Sequence, residues 1–124
     1  MKRSVLIVED NETNLYLLRY LLEQSGMMVY EARDGIMGIE VASRTCPDCI
    51  LLDVQLPQMC GYDVARALRA DPKLRATPII VMTGNARAED YDEAMAAGAT
   101  DFIEKPVDPE TLLAQISKYL TAAA

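Results

Sequence analysis

Between Cys49 and Leu52 the chain runs Cys-Ile-Leu-Leu without a polar residue and then stops at the carboxylate of Asp53. A strand without polar alternation suits burial on both faces, which is how strands of a helix-covered parallel sheet read. Pro57 and Gly61 follow and force a turn. Asp53 therefore belongs at the carboxyl edge of the sheet, where open α/β folds hold their ligands. By itself it reads equally well as the first residue of a polar loop.

The same pattern recurs along the chain. Ser4–Val8 reads as a first buried strand ending in Glu9-Asp10-Asn11, and a helix follows over about Glu12–Gln24. Asn11 is its N-cap, and Gly26 stops it. Met27–Ala32 reads as a strand near an edge. Asp34-Gly35 turns into a helix of about Ile36–Arg44, with Ile36, Ile39 and either Val41 or Ala42 facing inward. Gly61–Ala70 is a third helix with Val64, Ala65 and Leu68 inside. After Pro78, Ile79–Met82 is a fourth strand, ending in Thr83-Gly84-Asn85.

A fourth helix covers about Ala88–Ala97 and stops at Gly98. Its early acids Glu89, Asp90, Asp92 and Glu93 suit the positive end of a helix dipole. Asp101–Glu104 is a shorter, more polar strand that leads into Lys105-Pro106. The last helix spans about Pro109–Leu120, with Asp108 as N-cap and a stripe of Leu112, Leu113, Ile116, Tyr119 and Leu120.

Strands alternating with helices through short connections make an α/β fold: a doubly wound parallel sheet between two helical layers. A chain of 124 residues is one domain's worth, burying about two-thirds of its unfolded surface. The expectation is a single domain over residues 1–121 with a frayed tail at 122–124 and no effector domain.

Charge and composition narrow the function. A net charge of −7 argues against nucleic acid, which needs clustered cations. Arg66, Arg69, Lys73 and Arg75 are interspersed with Asp63 and Asp71, as on a solvated helix face. No apolar run approaches the ~20 residues of a membrane helix, and no signal peptide is visible, so the cytoplasm is expected. The lack of histidine removes His-based triads, His metal sites and internal phosphohistidine. Cys46-Pro47-Asp48-Cys49 has redox spacing, but its second thiol enters a strand rather than a helix. Cys49 is therefore expected to be a small core residue.

Parallel strands all end at one edge, which brings Glu9 and Asp10, Asp53, Thr83 and Lys105 together after strands one, three, four and five. Three clustered carboxylates repel one another unless protonated or neutralised. A hard divalent cation relieves this, and all-oxygen ligands suit Mg²⁺. Asp53 is a carboxylate of the kind that forms an aspartyl phosphate. Lys105 and Thr83 are suited to further phosphoryl oxygens. The Gln55 carbonyl is a fourth metal ligand, and Gly84 leaves Asp53 open to a bulky donor.

On Glu9-Asp10, Asp53 with Pro57 and Gly61, Thr83 and Lys105-Pro106, the chain resembles the receiver domain of two-component response regulators from about Lys2 to Leu120. It is most similar to stand-alone single-domain regulators of the cell-cycle kind in Val8-Glu9-Asp10-Asn11 and Gln55-Leu56-Pro57. The resemblance implies a flavodoxin-like sheet of order 2-1-3-4-5. It implies phosphoryl transfer to Asp53 from the phosphohistidine of a histidine kinase or phosphotransfer protein. It further implies a direct metal contact for Asp10, one through water for Glu9, and a switch pair of Thr83 and Phe102. A Phe in place of Tyr has no hydroxyl to solvate, which favours an inward ring. Cys60 departs from the small polar or acidic residue frequent in the family. Asn85 and Gln55, which flank the site, are not acidic here.

Rival chemistries fit less well. An aspartyl-nucleophile phosphatase needs a general acid two residues after the nucleophile, where this chain has Gln55. A flavin-phosphate loop is incompatible with Glu9-Asp10-Asn11-Glu12, and a module that is never phosphorylated has no use for the full set of acids, Thr and Lys. The expected protein is a phosphoacceptor rather than an enzyme, a monomer or weak dimer. Its output face is expected to be helix four, strand five and helix five, around 85–91, Phe102 and 105–111.

Overall fold

Three of the five strands are buried along their whole length, and this decides the layering. The computed structural model describes residues 3–84 and 88–122. In order, β1 (Ser4–Val8), α1 (Glu12–Gln24), β2 (Met28–Ala32), α2 (Gly35–Thr45) and β3 (Cys49–Asp53) are followed by α3 (Gly61–Ala70) and a short 3₁₀ turn at Pro72–Leu74. Then come β4 (Ile79–Thr83), α4 (Ala88–Ala96), β5 (Asp101–Glu104) and α5 (Pro109–Ala122). The sheet is parallel throughout, with order β2-β1-β3-β4-β5.

Side-chain alternation sends two cores to opposite faces. Val5, Ile7, Leu51, Ile80 and Met82 pack under α1 and α5, and Leu6, Val8, Leu52, Ile79 and Val81 under α2, α3 and α4. Each fully buried Leu or Ile contributes about 1.5–3 kcal/mol relative to exposure.

The helix ends follow local chemistry. Asn11 Oδ1 accepts from the Asn14 N–H at 2.9 Å, and Asp34 Oδ1 from the Met37 N–H at 2.7 Å. Asp108 Oδ2 accepts from the Thr111 N–H at 2.9 Å. Gly26 and Gly98 close α1 and α4 at φ of 86° and 103°, a conformation glycine adopts without Cβ strain.

Three expectations need correction. Ile36, expected inside, is 62% exposed. The inner face of α2 is instead Gly35, Gly38, Val41 and Ala42. Glycines let this helix sit so close that a Cβ on Gly38 would lie 2.9 Å from Val8, which turns Ile36 outward. Ala122, expected in a frayed tail, continues the backbone of α5, while residues 123 and 124 lie outside the described residues. Arg69, placed on a solvated face, is partly buried and donates to the carbonyls of Gly98, Leu74, Arg75 and Thr77 and to Thr100 Oγ1.

Candidate phosphoacceptor and metal site

The carboxyl edge of the sheet gathers the polar residues that the strand pattern delivers to it. Glu9 follows β1, held by its N–H on the Ala32 carbonyl at 2.9 Å. Asp53 is the last residue of β3 and pairs in register with Met82. Thr83 ends β4 opposite Glu104, and its carbonyl accepts from the Lys105 N–H at 2.7 Å. Glu9, Asp53 and Thr83 are the buried polar residues here, and only Ser4, at the amino end of the sheet, joins them among the described residues.

One carboxylate oxygen from each of Glu9, Asp10 and Asp53 lies within 4.8 Å of the others. Lys105 Nζ reaches Asp53 Oδ2 at 2.9 Å and Glu9 Oε1 at 3.4 Å. Asp53 Oδ1 accepts from the Gln55 N–H at 3.0 Å, which turns the loop after β3 back on the carboxylate. The structure brings together all five residues expected at the edge: Glu9, Asp53 and Lys105 by contact, Asp10 with an oxygen within 4.8 Å of the other two acids, and Thr83 by register.

Electrostatics follow from this crowding. Burial, reinforced by the hydrogen bond and charge of Asp53, pushes the Glu9 carboxyl up to about 7, against the pull of Lys105 and the Asn11 N–H. Burial works against the Lys105 charge as well, yet its pairing with Asp53 and Glu9 outweighs this and holds the ammonium above its ordinary range. Three hard carboxylates facing one ammonium leave an excess of negative oxygen. Such a donor set fits a divalent cation of the Mg²⁺ type.

The loop residues are positioned by backbone. Gln58 turns with φ 69°, the Met59 N–H bonds the Pro57 carbonyl at 2.8 Å, and the Gly61 N–H bonds that of Val54 at 2.9 Å. A Cβ at Gly61 would stand 2.5 Å from the Asp53 carbonyl oxygen and 2.6 Å from Val54 Cα. Gly84 is exposed, and a Cβ there would meet nothing within 4 Å. The Lys105–Pro106 peptide is cis. Phe102 is half-buried under α4, its ring 5.1 Å from that of Tyr91. Asn85 lies outside the described residues.

Other features carry weaker signals or none. A cavity of about 640 Å³ opens between α1 and the β5–α5 loop, with Glu9 and Lys105 at its polar end and Leu17, Leu21, Pro106 and Val107 on its walls. Leu17 is 57% exposed on this wall. Asp101 Oδ2 accepts from Tyr119 Oη at 2.7 Å and Gln115 Nε2 at 3.3 Å, tying α5 to β5. Cys49 is fully buried, and burial pushes its thiol up to about 12, so it does not act as a thiolate. No helix of the described residues is long and apolar enough to cross a membrane.

Similarity to known proteins runs across nearly the whole chain. The family model for the response regulator receiver domain matches residues 5–117. The polar-differentiation response regulator DivK of Brucella anthropi is 38% identical over 120 residues, covering 97% of this chain and 98% of that protein. Vibrio cholerae chemotaxis protein CheY4 superposes with a TM-score of 0.92 at 31% identity, covering 96% of this chain and 99% of that one. The receiver domain of sensor histidine kinase PA1611 from Pseudomonas aeruginosa, with a magnesium ion coordinated in its active site cleft, superposes with a TM-score of 0.90 at 32% identity. That match covers 98% of this chain and 99% of the other.

Proposed function

This chain belongs to the response regulator receiver domain family, and from that premise we propose that Asp53 accepts a phosphoryl group from a phosphohistidine donor. The observation that supports this most is the contact of Lys105 Nζ with both Asp53 and Glu9, beside the exposed carboxylate of Asp10. Asp53 attacks phosphorus through a carboxylate oxygen, an acyl phosphate forms, and the electron pair of the broken P–N bond returns to the donor imidazole. Lys105 leaves the Asp53 oxygen and pairs with a phosphoryl oxygen, so its charge stays balanced through the transfer. Thr83 donates to another phosphoryl oxygen, and Phe102 follows it inward.

Glu9, Asp10, Asp53 and the Gln55 carbonyl would hold Mg²⁺, which when bound offsets negative charge on the transferring group. Gly84 keeps the approach open, while Pro57, Gly61 and Pro106 shape the loops. The donor is a histidine kinase or histidine phosphotransfer protein. Output passes by protein contact through α4, β5 and α5, because phosphorylation acts only by biasing a two-state element. Turnover is confined to self-directed transfer and slow autodephosphorylation. The compartment is the cytoplasm, a reducing one that suits the free Cys46, Cys49 and Cys60.

The test is transfer of label from a phosphorylated histidine donor in the presence of Mg²⁺. The wild-type chain is expected to take up acid-stable, hydroxylamine-labile label, and Asp53→Asn to take up none. Label on Asp53→Asn would overturn the assignment.

A further inference from the structure

Helix α4 packs on Phe102 with little bulk of its own. Among the described residues, those that it and its C-terminal turn bury are Ala94 and Ala97, and a methyl group removes little apolar area from water. The large contact comes from Tyr91, whose ring meets that of Phe102 edge-on, with centroids 5.1 Å apart and planes at 64°. Edge-to-face pairs are directional and are lost when one ring turns away.

The two residues that bear on Phe102 differ sharply in exposure. Tyr91 is 42% exposed and stands toward solvent, whereas Thr83 is 6% exposed and lies within. Phe102 pairs in register with Val81, two residues before Thr83, so both side chains project from the same face of the sheet. A Phe102 ring that follows Thr83 inward must leave the edge of Tyr91. The Tyr91 contact therefore belongs to one of the two states, which is what a residue needs to bias their equilibrium.

We propose that Tyr91 is a positioning residue for the switch: its edge contact holds Phe102 in its half-buried place against α4, and phosphorylation must break that contact to reach the α4–β5–α5 face. This rests on the reading of Asp53 as phosphoacceptor and of Thr83 and Phe102 as its relay. Tyr91 touches neither the carboxylates nor the phosphoryl group, so its effect lies in the position of the equilibrium.

The chain contains one phenylalanine, so biosynthetic 4-fluorophenylalanine gives a single ¹⁹F reporter at Phe102. Spectra are recorded for the wild type, Tyr91→Trp and Tyr91→Leu, with Mg²⁺ alone and with added beryllofluoride as phosphoryl mimic. In the wild type the mimic should move the resonance. In Tyr91→Leu the resonance should stand part-way to that position before the mimic is added, and the mimic should bind roughly threefold to tenfold tighter. Tyr91→Trp, which keeps an aromatic ring and adds no second phenylalanine, should follow the wild type. If Tyr91→Leu fails to fold, Tyr91→Met makes the same comparison.

A wild type that responds while the ringless variant shows the same resonance and affinity overturns the inference and leaves the phosphoacceptor reading standing. A wild-type resonance unmoved by the mimic overturns the relay on which the inference rests, and both fall together.

Discussion

Lys105 Nζ lies 2.9 Å from Asp53 Oδ2 and 3.4 Å from Glu9 Oε1, so one ammonium holds two buried carboxylates at the end of adjacent strands. Because Lys105 is itself one-quarter exposed, solvent screens part of the pairing. Lys105→Ala should therefore keep the fold and lose about 1–2 kcal/mol without Mg²⁺. Mg²⁺ should restore most of that loss, since a divalent ion neutralises the same oxygens. Urea denaturation with and without Mg²⁺ checks both parts, and beryllofluoride affinity should fall in the same variant.

The carboxylate cluster makes Mg²⁺ a ligand of the folded state alone. At a hundredfold excess over Kd such a ligand adds about 2.7 kcal/mol to stability. Thermal melts of the wild type should rise accordingly with Mg²⁺, and those of Asp10→Ala should hardly move. A full response from Asp10→Ala would remove Asp10 from the metal ligands.

The Glu9 carboxyl, raised to about 7 against an ordinary 4.5, gives stability a pH dependence of definite sign. The unfolded chain releases this proton at lower pH than the folded one. The contribution is therefore fully present below 4.5 and is lost as pH rises through about 7. Mg²⁺ competes with that proton, so the Mg²⁺-induced rise in Tm should grow between pH 6 and pH 8. Melts across this range with and without Mg²⁺ read both effects, and Glu9→Gln should flatten both.

Two glycines of the site should separate packing from access. A Cβ at Gly61 meets the backbone of Asp53 and Val54 at 2.5 and 2.6 Å, where nothing can rotate away. Gly61→Ala should cost about 2–3 kcal/mol by denaturant titration. At Gly84 a Cβ meets no atom within 4 Å, so Gly84→Ala should stay within about 0.5 kcal/mol of the wild type. A bulkier Gly84→Leu should slow transfer from a protein donor more than from a small phosphodonor.

Glu9, Asp10, Asp53, Thr83 and Lys105 were legible because each stands at or just past the end of a strand-like run, and parallel strands end together. The signal is one-dimensional: periodicity locates an edge, and charge at that edge locates the site. Ile36 was misread because helical period cannot reveal how closely a glycine-faced helix approaches, and Gly38 against Val8 decides the rotation of α2. Tyr91 against Phe102 and Asp101 against Tyr119 join residues whose pairing no spacing rule encodes. The apolar cavity beside Lys105 is likewise made by two elements far apart in sequence.

Arg69 is the clearest case of a residue whose composition-level reading differs from its role, and it yields the last prediction. Its guanidinium donates to Gly98 O at 2.8 Å, Leu74 O at 2.9 Å, Thr77 O at 2.8 Å, Arg75 O at 3.1 Å and Thr100 Oγ1 at 3.2 Å. These acceptors lie on the 3₁₀ turn, the lead into β4 and the loop from α4 to β5, so one planar fork joins three segments at the amino end of the sheet. Burial pulls its pKa below the usual guanidinium value, but it remains charged at any working pH. Arg69→Met keeps the stem and strips every donor, leaving part-buried carbonyls to find water, and should cost about 2–3 kcal/mol. Arg69→Lys should recover little of this, because a single ammonium cannot span the fork. Hydrogen exchange should show the loss concentrated at Thr77–Ile79 and Gly98–Thr100, with the amides around Glu9 and Asp53 unchanged. Equal loss of protection at both ends of the sheet would mean that Arg69 supports the whole fold rather than this corner of it.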